Sequence, residues 1–271
     1  MKLISHVKNR TFSKILFHGC SITWGDELED RENERYSKLV CNNFGIDENN
    51  IALCGNSNDR IVREAIEYLE KEKVDIVVLQ FTVHSRMEWF DRQGFLHRFT
   101  PQLTSTHGKV KLKGNPMSDE LRERLHSAGK WFYRFVYSDI LGAENMWKNM
   151  VLFDSYCKAN NITFIPLLAD HFHEVIRKPE KFYHEKVGHT GWWKPLYQGF
   201  PETRLHEHII GHKEDGIGKH VYGDYFADGN HPNASGHQKI AEKVIELIEA
   251  CLLYTSPSPR DATLSRMPSS A

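Results

Sequence analysis

Nowhere in these 271 residues do eighteen apolar side chains follow one another, so no membrane-spanning helix is expected. Cysteine is scarce: five thiols, at Cys20, Cys41, Cys54, Cys157 and Cys251, with no C-x-x-C pair among them. That scarcity argues against a disulfide frame and a zinc knuckle, and reduced thiols in a cytosolic protein are the simple reading. Neither sign of charge is in excess, with 35 basic side chains against 36 acidic ones. So balanced a chain offers no electrostatic case for binding nucleic acid. The opening stretch from Met1 to Arg10 has too short an apolar run for a secretory signal, which makes a cytoplasmic location the expectation.

Residues 251 to 271 lack any apolar period and set Pro257, Pro259 and Pro268 among serines. They look like a sequencing adapter and primer read through in frame, Cys251 to Asp261 from the one and Ser265 to Ala271 from the other. A non-native, disordered tail is therefore expected, with a natural disordered tail as the alternative. Residues 1 to 250 are expected to form one domain, long enough for a substantial core.

Within that domain, strands and helices alternate. Lys14 to His18 reads as a short buried strand, and residues 34 to 44 as a helix stopped by Gly45. Asn50 to Leu53 reads as a second strand, followed by a helix capped at Ser57 or Asn58. Val74 to Phe81 is apolar on both faces, as a central parallel strand must be. Residues 87 to 117 show no clear period. Ser118 to Tyr137 and Gly142 to Ala159 read as helices, Ile162 to Leu168 as a strand and Ser235 to Glu249 as the closing helix. The alternation predicts a doubly wound α/β sheet with ligands beyond the carboxyl ends of its strands. Ser21, Gly55 and His84 each follow a strand and so fall on that edge.

Two strings carry chemistry: Gly19-Cys20-Ser21-Ile22-Thr23-Trp24-Gly25-Asp26, and Asp228-Gly229-Asn230-His231-Pro232-Asn233-Ala234-Ser235-Gly236-His237. A serine after a strand, with an acid and a histidine three residues apart, supplies the parts of an acyl-transfer triad. Ser21 attacks, His231 takes the proton and Asp228 holds the imidazole in the useful tautomer. The plainer alternatives are a helix-capping Ser21 and an ordinary loop histidine at His231.

Both strings resemble the SGNH (GDSL-type) hydrolase family, over roughly residues 12 to 90 and 220 to 250. The resemblance implies a three-layer α/β/α sandwich of about five parallel strands in flavodoxin-like order. A large insertion or lid is expected between the third strand and the Asp-x-x-His motif, at about 87–160 and 170–227. It further implies an oxyanion hole built from the backbone N–H of Ser21, the N–H of Gly55 and a side chain after the third strand. The family's G-x-N-D is absent; alignment puts His84 at the asparagine, so His84 or the following Arg86 could donate instead, with a missing donor as the alternative. Cys20 stands where the family has aspartate and reads as a small buried residue, with a cysteine nucleophile as the alternative.

Residues 170 to 227 are rich in histidine and aromatics. Asp170, His173, His206 and His208 have spacings compatible with a metal site, against which stands a polar lid without any H-E-x-x-H pair. Trp192, Trp193, Tyr197 and Phe200 could stack on a sugar or pack the lid. The sequence thus reads as a serine esterase acting on small-molecule or carbohydrate esters, acetyl esters among them, with no cofactor. A catalytically degenerate binding or structural protein and a metal-dependent hydrolase are the alternatives.

Overall fold

The computed structural model describes residues 12–90, 96–100, 119–169, 225–227 and 231–254. Four strands, β1 (Ile15–His18), β2 (Asn49–Asn50), β3 (Ile76–Phe81) and the later β6 (Thr163–Leu168), form one parallel sheet in the order β2-β1-β3-β6. Leu16 pairs with Val77 and Val77 with Phe164, so β1, β3 and β6 run in register across the centre. Near-continuous apolar runs suit strands covered on both faces. All of β1 and β3 is buried.

Because side chains alternate along a strand, each strand feeds two cores. Ile15, Phe17, Ile76, Val78, Ile165 and Leu167 meet α3 (Tyr36–Phe44), which follows the short α2 (Arg31–Glu34), and the last described helix, α7 (Ala234–Tyr254), on one face. Leu16, Val77, Leu79, Phe81 and Leu168 meet α4 (Asn58–Leu69) and α6 (Asp139–Ala159) on the other. Trp147, 1% exposed, and Phe153, 0%, anchor α6 there. Truncating either to alanine is expected to cost about 3–5 kcal/mol. The result is the expected α/β/α sandwich, with four parallel strands among the described residues.

Three expectations shift. Residues 87–99 hold an antiparallel hairpin, β4 (Met87–Phe90) with β5 (Leu96–Phe99), where no period was visible. Trp89 explains it, its ring tilted against Phe99 at 4.4 Å and edge-to-face with Phe132 at 5.0 Å. Secondly, α6 is a layer of the sandwich, so the stretch 87–160 is not wholly an insertion; α5 (Asp119–Phe135) precedes it. Thirdly, α7 runs past Ala250 to Tyr254, and Cys251 packs against the core there. The stretch 170–224 and residues 255–271 lie outside the described residues. Among the described residues no helix is long and apolar enough to cross a membrane.

Candidate active site

Three loops leave the carboxyl edge of the sheet and are tied together there by buried side chains. Gln80, at the end of β3, accepts at Oε1 from the Cys20 N–H (3.2 Å) and the Thr23 hydroxyl (3.1 Å). A Cβ on Gly19 would lie 2.4 Å from Thr23 Oγ1 and 2.9 Å from Gln80 Oε1, so only glycine fits between strand and turn. Asn56 Nδ2 donates to the Gly19 carbonyl at 3.0 Å, joining the loop after β2 to the loop after β1. Asn58 and Thr82 join the loops after β2 and β3 in the same way.

Ser21 opens the short helix α1 (Ser21–Trp24), which Gly25 ends in the left-handed conformation at φ 84°. It is 5% exposed, and its Oγ lies 3.8 Å from Cys20 Sγ. As first residue of the helix, its N–H has no intrahelical acceptor. Gly55 sits at φ 76°, in the loop that Asn56 fastens to Gly19. Cys20 is buried, and its thiol donates to Gln80 Oε1 at 3.3 Å, turned into the sheet edge as a small packing residue. Burial pushes that thiol up, but the charge of Arg86 with hydrogen bonds from Thr82 and Ile22 outweighs it and leaves a net lowering.

Arg86 is half-buried in the loop after β3, its Nη1 3.5 Å from the Asn56 carbonyl. It therefore stands between the turn bearing Ser21 and the loop bearing Gly55. His84 does not share that place. Its side chain is fully buried, with Nε2 3.4 Å from Asp139 Oδ1 at the start of α6. Its ring and carbonyl press on Gly142, where an added Cβ would come within 2.8 Å of His84 Cδ2 and 2.7 Å of its carbonyl oxygen. The absence of a side chain at Gly142 gives the imidazole room against α6, and Asp139 supplies a carboxylate there.

His231 comes to the same edge from the chain's other end. It is held there by the Ala227 N–H on the His231 carbonyl (2.9 Å) and the Asn233 N–H on the Tyr225 carbonyl (2.9 Å). Asn233 caps α7 through Gly236 N–H (3.0 Å), and His237 Nδ1 accepts from Tyr36 N–H (3.1 Å). The later part of the string, from Asn233 to His237, thus caps α7 and seats it on α3. The His231 ring meets two acids of the turn after Ser21. Its Nδ1 is 3.0 Å from Glu27 Oε2, and its Nε2 is 3.9 Å from Asp26 Oδ2. Asp26 in turn donates its N–H to the Ser21 carbonyl at 2.9 Å.

The structure therefore brings His231 onto the turn that carries Ser21, without a direct hydrogen bond between the two side chains. Asp228 lies outside the described residues, as do Asp170, His173, His206, His208 and the aromatics from Trp192 to Phe200. Glu27 is the group that sequence reasoning missed. It lies 204 residues from His231, and no spacing rule links them. Its one signal is a backbone angle, φ 67°, which a sequence does not display.

A parallel α/β/α sandwich thus gathers serine, histidine, carboxylates and an arginine at the carboxyl edge of its sheet. No protein-family profile matches the sequence, and no curated protein matches it. Solved structures do. A member of the lipolytic G-D-S-L family from Veillonella parvula aligns at 12% identity, covering 86% of this chain and 97% of that one, with a TM-score of 0.46. The psychrotrophic esterase EstA from Pseudoalteromonas aligns at 13% identity, with 89% and 98% coverage and a TM-score of 0.46. A two-domain esterase active on acetylated mannans aligns at 15% identity, covering 91% of this chain and 51% of that one, with a TM-score of 0.44. At such identities, what this chain does is decided by its own residues.

Proposed function

We propose that the chain is a serine esterase that hydrolyses carboxylic esters through an acyl-enzyme. Ser21 Oγ attacks the ester carbonyl, and His231 takes its proton and returns it to the departing alcohol. Water then attacks the acyl-enzyme with the same histidine as base, releasing the acid and restoring Ser21. Asp228, three residues before His231, is assigned as the motif's further acid to this histidine, whose Nδ1 already faces Glu27 at 3.0 Å. The Ser21 and Gly55 amides stabilise the tetrahedral oxyanion. Arg86 takes the third donor's place in preference to His84, because its guanidinium reaches the Asn56 carbonyl while the His84 Nε2 is directed at Asp139.

One observation carries the reading: His231 meets the turn that bears Ser21, where the Asp26 amide donates to the Ser21 carbonyl and the Asp26 carboxylate lies 3.9 Å from the imidazole. Small acyl esters, free or on a carbohydrate, are the proposed substrates. A reducing compartment such as the cytoplasm suits the buried thiols of Cys20, Cys41 and Cys157. Hydrolysis of p-nitrophenyl acetate, with and without chelator, tests the proposal. Activity that resists chelator and vanishes in Ser21→Ala supports it; activity lost to chelator or unchanged in Ser21→Ala overturns it. The missing Ser21–His231 hydrogen bond favours one rival, a degenerate member that binds without cleaving, for which the same assay shows no hydrolysis.

A further inference from the structure

One carboxylate oxygen meets His231 twice. Glu27 Oε2 lies 3.0 Å from the ring Nδ1 and accepts the backbone N–H of His231 at 3.2 Å. An ionised carboxylate only accepts, so the ring nitrogen facing it must carry the proton. Nε2 is then left with its lone pair, and the acid that faces it among the described residues, Asp26, is 3.9 Å away, beyond hydrogen-bond reach. That tautomer is the one a general base needs.

The backbone supports the same conclusion. Glu27 adopts φ 67°, a left-handed conformation that side chains with a Cβ disfavour. Strain of this kind persists where the surroundings over-determine it, and it gathers at functional positions. Here the turn is pinned by the Asp26 N–H on the Ser21 carbonyl at 2.9 Å. The carboxylate is thereby carried on the same turn as the hydroxyl it serves.

We propose that Glu27 is the positioning residue that fixes the tautomer and orientation of His231, so that the base is aligned from the nucleophile's own turn. The catalytic consequence rests on the esterase reading above; the tautomer does not. The experiment uses the full chain labelled with ¹⁵N-histidine, the His231 ring signals being assigned by their loss in His231→Gln. At a pH well above the ring's titration, the wild type is expected to show Nδ1–H. Glu27→Gln is expected to show a mixed or Nε2–H form, while Asp228→Asn keeps Nδ1–H.

On p-nitrophenyl acetate, Glu27→Gln should lower kcat on the order of 1,000-fold or more with KM within about twofold, as removal of a triad carboxylate does. Glu27→Asp should recover part of that loss. Glu27→Gly relieves the left-handed strain, so its melting temperature should match or exceed the wild type while the tautomer is still lost. A folding defect cannot produce that pair of results. If Glu27→Gln keeps Nδ1–H and Asp228→Asn loses it, Asp228 alone orients the ring and the proposal is overturned. If the tautomer shifts as stated but no variant or wild type hydrolyses ester, the esterase reading falls and the role of Glu27 toward His231 stands.

Discussion

Asn58 and Thr82 hold each other by both halves of a primary amide. Asn58 Nδ2 donates to the Thr82 carbonyl at 3.2 Å, and the Thr82 N–H donates to Asn58 Oδ1 at 2.8 Å. Both residues are buried, so neither backbone group has water to fall back on. The pair fastens the start of α4 to the loop that carries Arg86. Asn58→Ala should therefore destabilise the protein by about 2–4 kcal/mol, since two buried polar groups are left unmade. Urea unfolding measures this; a loss below about 1 kcal/mol would show that the loop re-pairs elsewhere.

The loop so held sets apart the roles of two neighbouring side chains, Arg86 and His84. Arg86→Ala should lower kcat on p-nitrophenyl acetate by on the order of 100- to 1,000-fold with little change in KM, the mark of a donor used only in the transition state. Arg86→Lys should recover part of the loss, as a charge without the planar fork. His84→Ala should instead cost about 1–3 kcal/mol of stability, because it empties the space against Gly142 and leaves Asp139 without the imidazole. The opposite pattern, a kcat loss in His84→Ala at unchanged stability, would return the oxyanion role to His84.

The sheet was legible because its strands are buried on both faces, and runs such as Ile76–Phe81 have no other use in a chain of this composition. The helix caps at Ser57 and Gly45 were legible for local reasons: one side-chain acceptor and one left-handed turn. The hairpin at 87–99 was not, since it depends on Trp89 meeting Phe99 and the distant Phe132. At the site, Ser21 and His231 stood out by motif. His84 was read from its position after a strand, which fixes where a residue begins, while packing against Gly142 and Asp139 decides where its ring goes. Glu27 stayed hidden because its partner is brought to it by the fold alone.

The boundary at Ala250 can be tested by length. If residues 251 to 271 are adapter-encoded, removing everything after Tyr254 should leave the unfolding midpoint unchanged. Stopping at Ala250 should lower stability by about 1 kcal/mol, because Cys251 packs beside the core that α7 and α3 share. Equal midpoints for the two truncations would mean that this last turn contributes nothing.

His237 gives the acid side of the stability curve. Its Nδ1 accepts the Tyr36 N–H at 3.1 Å, its ring stacks on Tyr36 at 6.0 Å, and it is fully buried. Burial, with the nearby His231 adding to it, pushes its pKa down from 6.5 to about 3. The folded state therefore refuses a proton that the unfolded state accepts. Stability from this group is complete above about pH 6.5 and falls by about 1.4 kcal/mol per unit as the pH drops, until the folded pKa near 3 is reached. Burial lowers His18 as well, so the slopes add. In His237→Asn the amide oxygen can stand in for Nδ1 while no proton is taken up. Urea midpoints measured from pH 6 to pH 4.5 should then fall less steeply than in the wild type, by about one proton's worth. Identical slopes would mean that His237 is already protonated in the folded protein, with Tyr36 N–H satisfied some other way.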